Sequence, residues 1–148
     1  MAENPEARCT LPDQELTQKI IGCAMKVHST LGPGFLESVY QKALAYELGK
    51  AGLKVDCEKP IAVYYDGLAV GDFSADMLVE RKVMLELKAN HALASANEVQ
   101  LVNYLTATGI EVGLLLNFGA RRMEFKRKTR TYRAKQEPKD LQADFLTG

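Results

Sequence analysis

Ser74-Ala75-Asp76-Met77-Leu78-Val79-Glu80-Arg81-Lys82-Val83-Met84-Leu85-Glu86-Leu87-Lys88 holds two apolar runs on either side of a polar step at Glu80-Arg81-Lys82. It reads as two strands, Phe73 to Val79 and Lys82 to Leu87, joined by a tight turn near Glu80-Arg81. Successive strand residues point to opposite faces, so Glu86 and Lys88 project from one side while Leu85 and Leu87 project from the other. A turn centred on Arg81 places Asp76 beside Glu86. Like charges facing each other in a sheet are destabilising and call for a compensating partner. A divalent cation is one such partner, because Mg²⁺ is typically held by one or two carboxylates with water and phosphate oxygens. Lys88 would then lie where negative charge develops on a phosphoryl group. The plainer reading is a set of solvated charges on an exposed sheet face.

Working outward, Leu16, Ile20, Ala24, Val27 and Leu31 recur at helical spacing. Asp13 or Thr17 is placed to cap that helix, and Gly32-Pro33-Gly34 stops it. A second helix, roughly Leu36 to Lys50, follows with Leu36, Val39, Tyr40, Ala43, Leu44 and Leu48 as its stripe, which makes a helical hairpin. Alternating residues from Val55 to Tyr65 and the Asp66-Gly67 turn signal add a further strand. Ser95-Ala-Asn-Glu98 fits a capping box opening a helix that ends at Gly109. Val112 to Phe118 is apolar enough to be a strand buried on both faces, and Met123 to Lys126 reads as one strand more. The order implies an α/β domain, a central mixed sheet flanked by helices. The expected organisation is a flexible N-terminus over 1–12, one domain over 13–133 and a mobile tail over 134–148, where no apolar period is evident.

The 148 residues suffice for one domain with a core of its own. Nineteen Lys and Arg balance nineteen Asp and Glu, and 47% of residues are hydrophobic. Zero net charge excludes nucleic-acid binding by overall basicity, though not by a local patch. Between Ala120 and Lys135 stand eight basic residues, among them Arg121, Arg122, Lys126, Arg127, Lys128 and Arg130, against Glu124 alone. Such a run is either a solvated face or a phosphate-backbone contact. Cys9, Cys23 and Cys57 show neither metal-type nor paired spacing. With a polar N-terminus and no long apolar run, this points to a reducing, cytoplasmic setting without membrane insertion.

Asp76 followed by Glu86-x-Lys88 after a hairpin resembles the signature of the PD-(D/E)xK nucleases, with Ala75 at the place of the family's proline. Gly34-Phe-Leu-Glu37-Ser-Val-Tyr40 resembles the motif of the GxxExxY proteins, a prokaryotic branch of that superfamily. Gln100-Leu-Val-Asn-Tyr104 is similar to the QxxxY element of exonuclease-like members, and residues four apart do share a helix face. The resemblance runs from about Leu16 to Lys126. It implies a restriction-endonuclease-like α+β core and a hydrolase that cleaves nucleic acid, DNA foremost, with Mg²⁺ or Mn²⁺. Asp76 and Glu86 would bind the metal, Glu37 would assist, and Lys88 would supply the motif's lysine. Gln100 would orient a phosphate or water, with Tyr104 beside the substrate strand. Superfamily members often pair to cut two strands, so a homodimer is also implied.

Some of these residues have structural alternatives. Tyr40 fits the core, Gly34 fits a backbone requirement of the hairpin, and Tyr104 fits an amphipathic core position as well as a catalytic one. His28 suits the negative end of the first helix or simple packing. His91 reads as a loop residue. Two rival functions also stand beside the nuclease, a binding module that keeps the fold without catalysis and a hydrolase of small phosphate esters.

Overall fold

The computed structural model describes residues 13–131 and 138–147. The chain runs α1 (Gln14–Leu31), α2 (Glu37–Lys50), β1 (Val55–Tyr65), β2 (Leu68–Val79), β3 (Val83–Lys88), α3 (Ser95–Thr108), β4 (Val112–Asn117), β5 (Glu124–Thr129) and α4 (Pro138–Thr147). The five strands form one sheet in chain order, antiparallel except for the β3–β4 pair, which α3 connects as a crossover. The mixed sheet expected from the sequence is therefore present. Among the described residues, no helix is long and apolar enough to cross a membrane.

Two cores sandwich the sheet. Ile20, Ala24 and Val27 of α1 and Leu44 and Leu48 of α2 bury one face with Val83, Leu85 and Leu87 of β3. Leu101, Tyr104 and Leu105 of α3 bury the other with Met84 of β3 and Leu115 of β4. Every residue of β4 is buried, as its unbroken apolar run requires of a central parallel strand. Glu80 and Arg81 both hold left-handed backbone angles, with φ of 53° and 56°, in a tight turn closed by Lys82 N donating to the Val79 carbonyl at 3.0 Å, so that Val79 pairs with Val83 across a three-residue loop. Lys54 clamps this turn, since its N–H donates to Glu80 Oε2 at 2.9 Å and its carbonyl accepts from Glu80 N at 2.8 Å.

The helical hairpin is fastened by Tyr40. Its hydroxyl donates to the Gly32 carbonyl at 2.6 Å and accepts from Phe35 N at 3.2 Å, and its ring stacks on Phe118 with centroids 4.8 Å apart. Tyr40 is thus a core residue that shapes the loop before α2. Gly34, at φ 113°, meets the backbone requirement expected of it. His28 Nε2 donates to the Ala120 carbonyl at 2.9 Å and ties the end of α1 to the loop after β4.

Three local expectations change. The α3 N-cap is Ala94, and Asn97 Oδ1 accepts from its N–H at 3.0 Å; Glu98 instead pairs with Lys128 at 2.6 Å. Asp13 is the N-cap of α1, but its side chain makes no capping hydrogen bond, and Thr17 lies inside the helix with its Oγ1 donating to the Gln14 carbonyl at 2.9 Å. Within 134–148, residues Pro138–Thr147 form α4, whose Phe145 is buried in the α3-side core. The period there is too short for the sequence to announce it. Residues 1–12, where a flexible start is expected, and 134–137 and 148 lie outside the described residues.

The end of β3 is braced from β4. Asn117 Oδ1 accepts from Asn90 N at 3.0 Å while its Nδ2 donates to Asn90 O at 2.9 Å. Gly119 then passes so close that a Cβ there would lie 2.3 Å from Ala89 C and 2.4 Å from Asn90 N. Backbone cannot swing aside as a side chain can. Gly119→Ala is expected to cost about 2–3 kcal/mol, measured as a lower midpoint of chemical unfolding; an unchanged midpoint would refute the close approach.

Candidate active site

Asp76 sits where β2 stops alternating. Residues two apart on a regular strand share a face, yet Met77 belongs to the α1–α2 core and Ala75 to the α3 core. On the neighbouring strand, Cys57 pairs with Met77 and Lys59 with Ala75, leaving Glu58 between them at φ 53°. The β2–β3 ladder keeps the register set by a turn at Arg81 through Met77↔Leu85 and goes no further. Beyond it, side chains replace backbone acceptors. Asp76 N donates to Glu86 Oε1 at 3.2 Å, and Leu87 N donates to Asp76 Oδ2 at 2.8 Å. The juxtaposition of the two carboxylates is therefore built into a splayed strand pair.

Glu86 is buried, with 5% of its surface exposed. Burial, then the neighbouring Asp76 charge, pushes its carboxyl up to about 8, against the smaller opposing effects of the Asp76 N–H and of Lys88. Asp76 is raised as well, first by burial and then by the charges of Glu58 and Glu37, while the Leu87 N–H and Lys88 oppose the shift. Lys88, the last residue of β3, is half-buried and acts electrostatically on both carboxylates. Such a pair holds more negative charge than its surroundings can stabilise.

The wall facing Asp76 comes from α2. Glu37 is exposed at the first turn, and a cavity of about 210 Å³ is lined by Glu37, Ser38, Gln41, Glu58, Asp76 and Leu87. Gln41 Nε2 donates both to the Asp76 carbonyl at 2.8 Å and to Glu58 Oε1 at 3.0 Å. Glu58 and Gln41 are members of this cavity that the sequence reading does not single out. Gln41 lies one helical turn after Glu37, a spacing that could have flagged it. The donor set here is all oxygen, from half-buried Asp76 and exposed Glu37 and Glu58, with buried Glu86 beside Asp76, which suits a hard divalent cation. Among the described residues, no three His, Cys, Asp or Glu side chains converge as a complete set of ligands.

Gln100 and Tyr104 lie on one face of α3, on the other side of the sheet, and line a hollow of about 570 Å³ with Tyr64 and Phe73 of the β1–β2 hairpin. Gln100 does not line the Asp76 cavity. Burial and then the charges of Glu86 and Asp76 push the Tyr104 hydroxyl up.

The basic segment divides. Arg130 is buried and its Nε donates to Glu111 Oε2 at 3.2 Å, and Lys128 is committed to Glu98. Both hold the edge of the sheet to its neighbours; Arg130 is buried away from an extended polyanion, whereas Lys128 keeps part of its side chain exposed. Arg121, Arg122 and Lys126 are exposed, and Arg127 is half-buried on β5.

Comparison with known proteins agrees with this architecture. The chain resembles a solved protein described as "Crystal structure of SSO0001", at 16% identity and a TM-score of 0.50, over 91% of this chain and 67% of that one. At that identity the likeness concerns the fold alone. No curated protein matches. The family model for the PD-(D/E)XK nuclease superfamily matches residues 14–128, a span that holds all five strands but for the last residue of β5 and the whole Asp76–Glu86–Lys88 cluster. The chain belongs to the PD-(D/E)XK nuclease superfamily.

Proposed function

We propose that this protein is a Mg²⁺- or Mn²⁺-dependent nuclease of the GxxExxY branch that hydrolyses phosphodiester bonds of nucleic acid, DNA foremost. The observation that carries the proposal is the splayed end of the β2–β3 hairpin, where Asp76 and Glu86 replace ladder acceptors beside Lys88. Asp76 and Glu86 would hold the cation, with Glu37 reaching it directly or through water. A bound divalent ion supplies charge neutralisation of the phosphate and lowers the proton affinity of an attacking water. Lys88 stabilises the charge that develops on the phosphoryl oxygens. Glu58, held by Gln41, adds negative charge to the metal side of the cavity. Gln100 and Tyr104 contact the substrate strand on the far side of the catalytic cluster. The superfamily membership supports this reading, and so does the raised proton affinity of both carboxylates, which marks a place suited to a cation.

The direct test is incubation of the pure protein with labelled single- and double-stranded DNA and RNA in Mg²⁺ or Mn²⁺, beside Asp76→Ala and Lys88→Ala. Metal-dependent cleavage that both substitutions remove is the expected result. Cleavage undiminished in both variants would sink the assignment, and salt-sensitive binding without any cleavage would favour the binding-module alternative.

The exposed basic residues make a separate expectation. Neutralising Arg121 and Arg122 together should weaken DNA binding and reduce the slope of log affinity against log salt by about 1–2, roughly 0.9 for each phosphate left without its cation. Arg130→Ala should instead lower thermal stability, since it removes a buried guanidinium and its ion pair with Glu111. Titrations by fluorescence anisotropy at several salt concentrations, with melting curves alongside, check both.

A further inference from the structure

The hollow of about 570 Å³ between α3 and the β1–β2 hairpin has a composition unlike the catalytic cavity. None of its lining residues is charged. Tyr64 and Phe73 are 67% and 45% exposed there, an unusual cost for aromatic surface unless something covers it. Phe73 is held in place from two sides. Its ring meets Tyr104 at 5.4 Å between centroids, and it lies back over Gly71, where a Cβ would be 3.0 Å from its edge. The amides of Gln100 and Asn103 rim the same space. A second hollow shares Tyr64 and Phe73 but is bounded by Asp72 and Asp144, which repel phosphate.

We propose that the uncharged hollow is a nucleobase subsite, in which an unpaired base of the substrate strand stacks on Phe73 and Tyr64 while Gln100 and Asn103 hydrogen-bond its edge. The chemistry matches one part of a nucleotide and not the others. Flat aromatic faces suit the π-surface of any base, carboxamides offer both donors and acceptors to its edge, and the missing cations leave nothing for a phosphate. The volume is in the range of small-molecule sites. Phe73, whose ring meets Tyr104, stands three residues before Asp76 on β2, so the strand that carries the catalytic aspartate also carries the floor of the hollow. A base in the hollow would thus belong to the strand being cut. Bases in an intact duplex cannot enter, so the substrate class is single-stranded, frayed or flapped nucleic acid. This inference rests on the nuclease reading and names its substrate.

The experiment uses the full chain in EDTA, where cleavage is suppressed, with a labelled twelve-nucleotide dT strand, an abasic sugar-phosphate chain of the same length and a dT·dA duplex. The dT strand should bind roughly 5- to 100-fold tighter than the abasic chain, the range for one stacked base, and tighter than the duplex. Phe73→Leu combined with Tyr64→Leu should bring dT down to the abasic affinity and leave the abasic chain unchanged. Circular dichroism confirms that the variant folds. Equal affinity for dT and abasic chains, equal loss of both in the variant, or no binding of any probe would overturn the proposal. So would a variant that changes only the oligomeric state, which would mean that a second copy covers the hollow. Parallel assays in Mn²⁺ separate the two readings. Base-dependent binding without hydrolysis would refute the nuclease and keep the subsite, whereas hydrolysis without base-dependent binding would do the reverse.

Discussion

Lys88→Ala is expected to lower the rate of phosphodiester hydrolysis by about 10²–10³-fold, the range seen when one preorganised electrostatic stabiliser is removed, while binding of metal-free substrate changes little. Lys88 closes β3, and its main chain is fixed independently of its ammonium. Phe118 N donates to its carbonyl at 2.8 Å, and the residue pairs with Asn117 on β4. Truncation therefore removes the charge without loosening the strand. Lys88 also favours the ionised forms of Asp76 and Glu86. Its loss should raise both carboxylates further and move the pH optimum for metal-dependent activity upward. Lys88→Arg keeps the charge but not the compact ammonium and should recover only part of the rate. Single-turnover cleavage at saturating Mn²⁺, with binding measured separately in EDTA, checks this. A rate within threefold of the parent's would remove Lys88 from the mechanism and leave the carboxylates to stand alone.

Much of this site is legible in the residues. The three-residue loop Glu80-Arg81-Lys82, centred on Arg81, fixes the β2–β3 register, and with it the meeting of Asp76 and Glu86, because a period of two admits no half-steps. The helices declare themselves by apolar spacing, and Tyr40 and Gly34 by the hairpin they close. Glu58 is hidden for a specific reason. The Asp66-Gly67 turn alone would set Cys57 opposite Asp76, but β1 and β2 slip by one residue between Val63 and Tyr64, and that slip brings Glu58 into place. A bulge of this kind follows from local twist and leaves no mark in a run of alternating residues. The division of the basic run is equally hidden, because burial of Arg130 depends on Glu111, which is nineteen positions away, and on the parallel strand that carries the chain between them. Helix α4 is short, and tertiary contact through Phe145 holds it where intrinsic period does not.

Metal-free protein should lose stability as pH rises from about 5 to above 8, and Glu86→Gln should abolish most of that loss. The sign follows from the direction of the shift. Burial and the Asp76 charge raise the Glu86 carboxyl from an ordinary 4.5 to about 8, so between those values the folded chain retains a proton that the unfolded chain has released. Stability is then full below about 4.5, declines across the interval and stays reduced once pH exceeds the folded value. The raised Asp76 carboxyl works in the same direction. At about 1.4 kcal/mol per pH unit the Glu86 contribution approaches about 5 kcal/mol, or roughly 10–20 °C in melting temperature for a chain of this length. Glutamine keeps the acceptor for Asp76 N and carries no charge, so at pH 9 in EDTA the variant should melt above the parent, and at pH 5 the two should coincide. Mn²⁺ reverses the order at high pH, because an ion bound by two carboxylates stabilises the native state by mass action and the variant has lost one of them. The crossing of the two melting curves on adding Mn²⁺ links burial, charge and cation in one measurement. Parallel pH profiles in the absence of metal would show that Glu86 is ionised in the folded chain and that the Asp76–Glu86 pair does not require a cation.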